Sequence, residues 1–195
     1  TMHELARLFA ARSLEEMKYH RGLVIWHNTG SGKTATAAGI CLAYLTSKGP
    51  KRKIAIVTTP ANERDNDLAI YAGNMLMFYP QYAAEVFGAV PPKPWNMAMF
   101  RDKNSGFRKW ADGAGKKTLS TKVHTFTFTT LASRLGLGRK YGYRGVANPD
   151  TEWLVKDNGS VVIMDESQSL FKPQSTYAGA AKGLAEYLVK PDVIK

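Results

Sequence analysis

One cysteine, Cys41, in 195 residues leaves no partner for an internal disulfide and excludes a cysteine-based zinc or iron–sulfur site. That usage points to an intracellular, reducing compartment. Long apolar runs are missing as well. The longest, residues 23–26 and 161–164, have strand length, far below the ~18 residues of a membrane span. No membrane partner is expected. Glu4, Arg7, Arg12, Glu15 and Glu16 interrupt the N-terminal segment, so it lacks the apolar core of a secretory signal. Acidic residues are scarce too: Asp and Glu number 16 against 27 Lys and Arg, a net charge of +11. A domain this basic faces a polyanion, or else carries a solubility charge or one face of a larger assembly.

What is present is an ordinary core, with 44% hydrophobic and 11% aromatic residues, which excludes disorder. Apolar positions Leu5, Leu8, Phe9, Leu14 and Met17 predict a helix near the start, within an N-terminal stretch 1–20 that leads into one lobe, 21–195. Residues 23–26 read as a buried strand, 35–45 as an alanine-rich helix, and 53–58 as a second strand. Pro60 and Asn62 open a helix running towards Met77. Residues 80–120 hold Pro80, Pro91, Pro92 and Pro94 without a clean period and read as an irregular insert. Residues 123–130 alternate as a strand, 131–137 form a short helix, and 160–164 are another buried strand. A last helix spans 177–189. Strands alternating with helices predict an α/β fold, a parallel sheet with helices on both faces.

Thr29, Gly30, Ser31, Gly32, Lys33 and Thr34 lie between a predicted strand and a predicted helix, the context of a phosphate-binding loop. Gly30 and Gly32 allow backbone conformations that a Cβ forbids and bring N–H groups close to a phosphate. The following helix points its positive end at the same anion. Lys33 neutralises β- and γ-phosphate oxygens, and Thr34 offers its hydroxyl to Mg²⁺. ATP and Mg²⁺ are the cofactors this loop implies. His27 stands where the full pattern carries a further glycine.

Asp165 and Glu166 follow the strand 161–164, at the edge of a parallel sheet that also carries the phosphate loop. Asp165 is expected to hold Mg²⁺ through its water shell, and Glu166 to orient or deprotonate the attacking water. An Asp-Glu pair at a strand end also caps helices, so it gains meaning from the loop. His124 and Cys41 read as core residues. Trp95, Phe100, Phe107 and Trp110 interleave with Arg101, Lys103, Arg108 and Lys109, a texture that suits base stacking and phosphate gripping, or an insert packed on its own lobe.

Taken in order, these segments resemble the first RecA-like lobe of a superfamily 2 helicase or translocase. Gly30–Thr34 is similar to motif I, residues 54–60 to motif Ia, 125–130 to motif Ib, and Asp165-Glu-Ser-Gln168 to motif II. Residues 21–34 and 165–171 resemble the corresponding segments of poxvirus-type and other large-DNA-virus helicases and transcription ATPases. The second also resembles Swi/Snf-type remodelers, some of which carry Gln at the position of Gln168.

The resemblance implies a P-loop NTPase fold and an ATP-binding motor lobe that couples hydrolysis to movement on nucleic acid, DNA ahead of RNA. It implies coupling through Gln168 and a phosphate track near Thr58, Thr59, Pro60 and Thr129. It also implies a second RecA-like lobe with an arginine finger; none follows Asp165, so the chain is expected to be a fragment, nearly inactive alone. The rival readings are a non-hydrolysing nucleic-acid-binding or assembly scaffold and, ranked last, a nucleotide kinase.

Overall fold

The computed structural model describes residues 32–46, 53–58, 68–135 and 161–165, together with Gly183. The expected helix near the start, the strand at 23–26 and the helix at 177–189 fall outside the described residues, Gly183 apart. The chain divides into two compact units, one formed by Thr1–Gly49 and Asp67–Thr121, the other by Pro50–Asn66 and Lys122–Lys195. No helix among the described residues is long and apolar enough to cross a membrane.

The first unit is helical. Helix α1 (Lys33–Thr46) buries Ala35, Thr36, Ala38, Gly39, Cys41, Leu42 and Ala43, small side chains that let a neighbouring helix come close. That neighbour is α2 (Leu68–Phe78), which packs on α1 and buries eight of its eleven residues. A helix apolar on every side belongs in an interior. Gly73 of α2 has a specific reason: a Cβ there would collide with the Phe100 ring, so its absence makes the socket for that ring.

Residues 80–120 are not irregular, as the missing period suggests, but a run of short capped helices. Helix α3 (Pro80–Phe87) starts on a proline, whose missing N–H costs nothing at a helix start. Helix α4 (Met97–Arg101) is capped by Asn96, which accepts from the Met99 N–H at 2.9 Å. Helix α5 (Gly106–Trp110) is capped by Ser105, whose Oγ accepts from the Arg108 N–H at 3.0 Å and donates to the Met99 carbonyl at 2.5 Å. A π-helical turn (Ala111–Gly115) then leads into α6 (Lys116–Ser120). Apart from α3, each element is only about one turn long, too short for a 3.6-residue period to register in sequence.

Among the described residues, the strands of the second unit form a three-stranded parallel sheet ordered β2-β1-β3. Strand β1 (Ile54–Thr58) is central and fully buried. It pairs with β2 (Val123–Thr127) from Ile54 opposite Val123 to Thr58 opposite Thr127, and with β3 (Val161–Met164) from Ile54 opposite Val161 to Val57 opposite Met164. Ile54, Ile56 and Val57 are β-branched residues that fit a pleated surface covered on both sides.

The strand expected at 123–130 stops at Thr127, and the helix expected at 131–137 runs earlier, as α7 (Phe128–Arg134). The cause is Thr127 itself, whose hydroxyl caps α7 by accepting from the Thr130 N–H at 3.0 Å. Helix α7 packs on β1 and β2 through Phe128 and Leu131, both fully buried.

Candidate functional site

The described part of the segment predicted to bind phosphate is its last residues, Gly32, Lys33 and Thr34. Gly32 sits at φ +86°, a backbone region that side chains rarely adopt. Its carbonyl accepts from the Thr36 N–H at 3.0 Å and from the Thr36 hydroxyl at 3.3 Å, which fixes the first turn of α1. Lys33 and Thr34 follow directly, both half-buried, and that first turn contains no acidic residue. A helix start normally attracts Asp or Glu, because its N–H groups carry about half a positive charge. This arrangement fits a phosphate. Thr29, Gly30 and Ser31 lie outside the described residues.

The sheet unit, taken by itself, carries the other described residues singled out from the sequence. The Asp165 N–H donates to the Val57 carbonyl at 2.9 Å, so Asp165 continues the register of β3 by one position beyond Met164. Strands in parallel register end at one edge, and that edge here gathers Thr127, Thr58 and Asp165 in a row across β2, β1 and β3. Thr129 joins them at the start of α7. The Thr127 hydroxyl is fully engaged: it lies 2.7 Å from Thr130 Oγ1 and 3.0 Å from Thr129 Oγ1, besides capping Thr130. Thr58 is different. Its side chain is buried, and its Oγ1 has no hydrogen-bond partner among the described residues. Glu166, Gln168, Thr59 and Pro60 lie outside the described residues.

No group of three or more His, Cys, Asp or Glu able to hold a metal occurs among the described residues. Magnesium does not require one, since it is commonly held by one or two carboxylates, waters and the oxygens of a bound phosphate. A single hard carboxylate at a strand end, Asp165, and the Thr34 hydroxyl are donors of the kind it accepts.

The basic residues of the helical unit divide into two kinds. Arg101, Lys103 and Lys109 are exposed. Arg108 is committed internally: its Nε donates to Asp112 Oδ2 at 2.7 Å, and its guanidinium lies 4.7 Å from the Phe100 ring centre. The aromatic residues between them point inward. Phe100 and Phe107 are buried with ring centres 5.6 Å apart, and Phe87 meets Trp110 edge-on at 5.0 Å. The interleaved texture is therefore mostly the packing of the unit on itself.

Among the described residues, two titratable groups are shifted. Burial pushes the Cys41 thiol well above its ordinary range, which makes it an inert core residue. On β2, burial and then the nearby charge of Lys53 hold His124 below the usual histidine value, which favours the neutral ring. The sequence reading missed the threonine row as a unit. Its signal was Thr127 placed three residues before Thr130, the spacing of a helix cap.

A parallel sheet with helices is an α/β architecture, and it is that of the P-loop class. The family described as type III restriction enzyme, res subunit, matches residues 3–189, nearly the whole chain, and the chain belongs to that family. Its fold is the RecA-like P-loop fold, and it is an ATP-binding, helicase-like lobe of superfamily 2 with the general chemistry of an ATP hydrolase. No curated protein and no solved structure matches the chain.

Proposed function

We propose that the chain is the motor lobe of a nucleic-acid-dependent ATPase that turns ATP hydrolysis into movement along DNA. The observation that carries this reading is Lys33 as the first residue of a 14-residue helix, after Gly32 at φ +86° and with no acid in the first turn. A helix start of this kind favours an anion such as a phosphate. A family described as a restriction enzyme subunit supports DNA ahead of RNA. The likeness of residues 21–34 and 165–171 to large-DNA-virus helicases belongs to the same proposal.

The roles follow from chemistry. Thr29, Gly30, Ser31, Gly32 and Lys33 cradle the phosphates, and Lys33 offsets the charge that develops on the γ-phosphoryl group. Thr34 and Asp165 are the protein groups that would hold Mg²⁺. When bound, magnesium neutralises the β- and γ-phosphate oxygens during transfer. Glu166 orients the attacking water and accepts its proton as the bond to the leaving ADP breaks. Gln168 couples that event to nucleic acid. The strand is tracked at Thr58, Thr59, Pro60 and Thr129, and by the exposed charges Arg101, Lys103 and Lys109, with Arg108 contributing a charge already shared with Asp112. A second RecA-like lobe of a longer chain supplies an arginine finger, worth on the order of 10³–10⁵ in rate, so this lobe alone turns over barely at all.

The test is a pair of variants in the intact protein, assayed for ATP binding and for turnover with and without DNA. Lys33→Ala weakens binding, because a charge on the phosphates is lost. Glu166→Gln leaves binding largely intact and abolishes turnover, because only the water-activating carboxylate is lost. Equal losses of affinity in both variants would reassign Glu166. Turnover indifferent to DNA would favour the scaffold reading.

A further inference from the structure

We propose that the helix from Gly106 to Ser120 grips the phosphate backbone of a DNA duplex through Lys109 and Lys117, without reading its sequence. The inference rests on the DNA-directed reading above and adds to it Lys117, the presentation of Lys109, and the form of DNA that this face takes.

Helix α5, the π-helical turn and α6 form one continuous rod. The backbone stays right-handed helical at both junctions, with Trp110 at φ −63°, ψ −46° and Lys116 at φ −58°, ψ −47°. Phe107, Ala111, Gly115 and Leu119 are its buried residues, every fourth one. In a plain α-helix each step of four overshoots a full turn by about 40°, and this column would drift by about 120°. The π turn, with its longer i→i+5 span, takes up the drift and keeps the column on α2, where a Cβ on Gly115 would come to 3.0 Å from the Ala72 Cβ. Lys109, Gly113 and Lys117 stand two residues on from that column, on the opposite side, and all three are exposed. In a plain α-helix the two lysines would diverge by about 80°; the π turn makes them face one way.

The face offers charge and open space. Lys109 and Lys117 form no ion pair among the described residues, whereas Arg108, one column over, is paired with Asp112 at 2.7 Å. A Cβ on Gly113 would meet nothing within 4 Å, so the gap between the lysines is clear. The stretch from Lys109 to Lys117 covers about 12 Å, the length of roughly three to four nucleotides along one strand of a duplex. Binding of a single strand usually adds stacking of bases on aromatic rings. The rings nearby in sequence are committed elsewhere. Phe100 and Phe107 are buried, the Trp110 Nε1–H donates to the Ala89 carbonyl at 3.2 Å, and the Lys93 ammonium lies over the Trp95 ring at 5.3 Å. A cationic face without a stacking platform suits a duplex, whose bases stack on each other and whose outer surface is phosphate.

The experiment measures, by fluorescence anisotropy over a salt series, binding of the intact protein to two labelled duplexes of unrelated sequence and to one single strand. It compares wild type, the double variant Lys109→Gln with Lys117→Gln, and Gly113→Lys, with a melting curve for each. On both duplexes the double variant should flatten the slope of log K against log salt by about 1.8, since each phosphate contact on a duplex is worth about 0.9. Gly113→Lys, which adds a charge in the open gap, should steepen that slope by about 0.9 and tighten binding. If the double variant melts early, the gain in Gly113→Lys decides alone. A folded double variant with the wild-type slope, or a Gly113→Lys protein with no gain, overturns the inference and leaves this face to an acidic protein surface. Effects confined to one duplex sequence, or to the single strand, overturn it too. Wild type that binds no DNA at low salt overturns the DNA-directed reading itself, and the inference falls with it.

Discussion

Residues 91–112 of the helical unit and the end of strand β1 in the sheet unit handle polar groups in opposite ways. Between residues 91 and 112 the polar atoms are satisfied close to home. The Trp95 Nε1–H donates to the Pro91 carbonyl at 2.8 Å, and Asp102 Oδ1 accepts from the Asn104 N–H at 2.9 Å. Asn96 and Ser105 cap their helices, and Arg108 meets Asp112. The sheet unit, with a far more apolar central strand, leaves Thr58 unsatisfied in its interior. A region that settles its polar groups locally has the character of a scaffold or a charged surface. A strand end that keeps a hydroxyl buried without a hydrogen bond gives up stability there.

The sharpest way to break this contrast is to damage each unit separately. Phe128→Ala empties a fully buried site on the sheet and should cost about 3–5 kcal/mol, read as lost hydrogen-exchange protection at Ile54–Thr58. Protection retained there would mean that α7 contributes little to the sheet. Gly73→Ala should cost about 1–3 kcal/mol by forcing Phe100 from its socket, measured by chemical denaturation. An unaffected midpoint would show that the aromatic cluster is looser than its contacts imply.

The smallest effect belongs to His124. Its folded value lies below the ordinary 6.5, so the unfolded chain takes up the proton first as pH falls. Stability from this group is therefore complete above about pH 6.5 and lost as the pH drops through the folded value. His124→Gln should flatten the fall in melting temperature between pH 7 and 5. An identical slope in both proteins would remove His124 from the account.

The strands at 54–58 and 161–164 were legible because consecutive β-branched residues of that length leave few alternatives. The phosphate loop and the acidic strand end were legible as motifs, since their chemistry demands particular residues at fixed spacing. The boundary at Thr127 was not, because Thr-Phe-Thr-Phe alternation fits a strand until the Thr127 hydroxyl turns back to the Thr130 N–H. Nor were the helices between 80 and 120, whose caps Asn96 and Ser105 were present in sequence but had no apolar period to announce. The aromatic and basic residues there looked like a binding texture because composition cannot say which way a ring points. Phe100 and Phe107 point inward.

The strand order β2-β1-β3 also has a consequence for how the protein is made. Strand β1 leaves the ribosome before either of its partners, one beginning at Val123 and the other at Val161. The helices from Leu68 to Ser120 are assembled from near neighbours and can condense while synthesis continues. Until β3 emerges, Ile-Ala-Ile-Val is an apolar ribbon with at least one open edge, the kind of segment that recruits strands from other nascent chains. The interval between translating Thr58 and Met164 is thus the vulnerable period of this protein's biogenesis, and slower elongation across it should raise aggregation rather than relieve it.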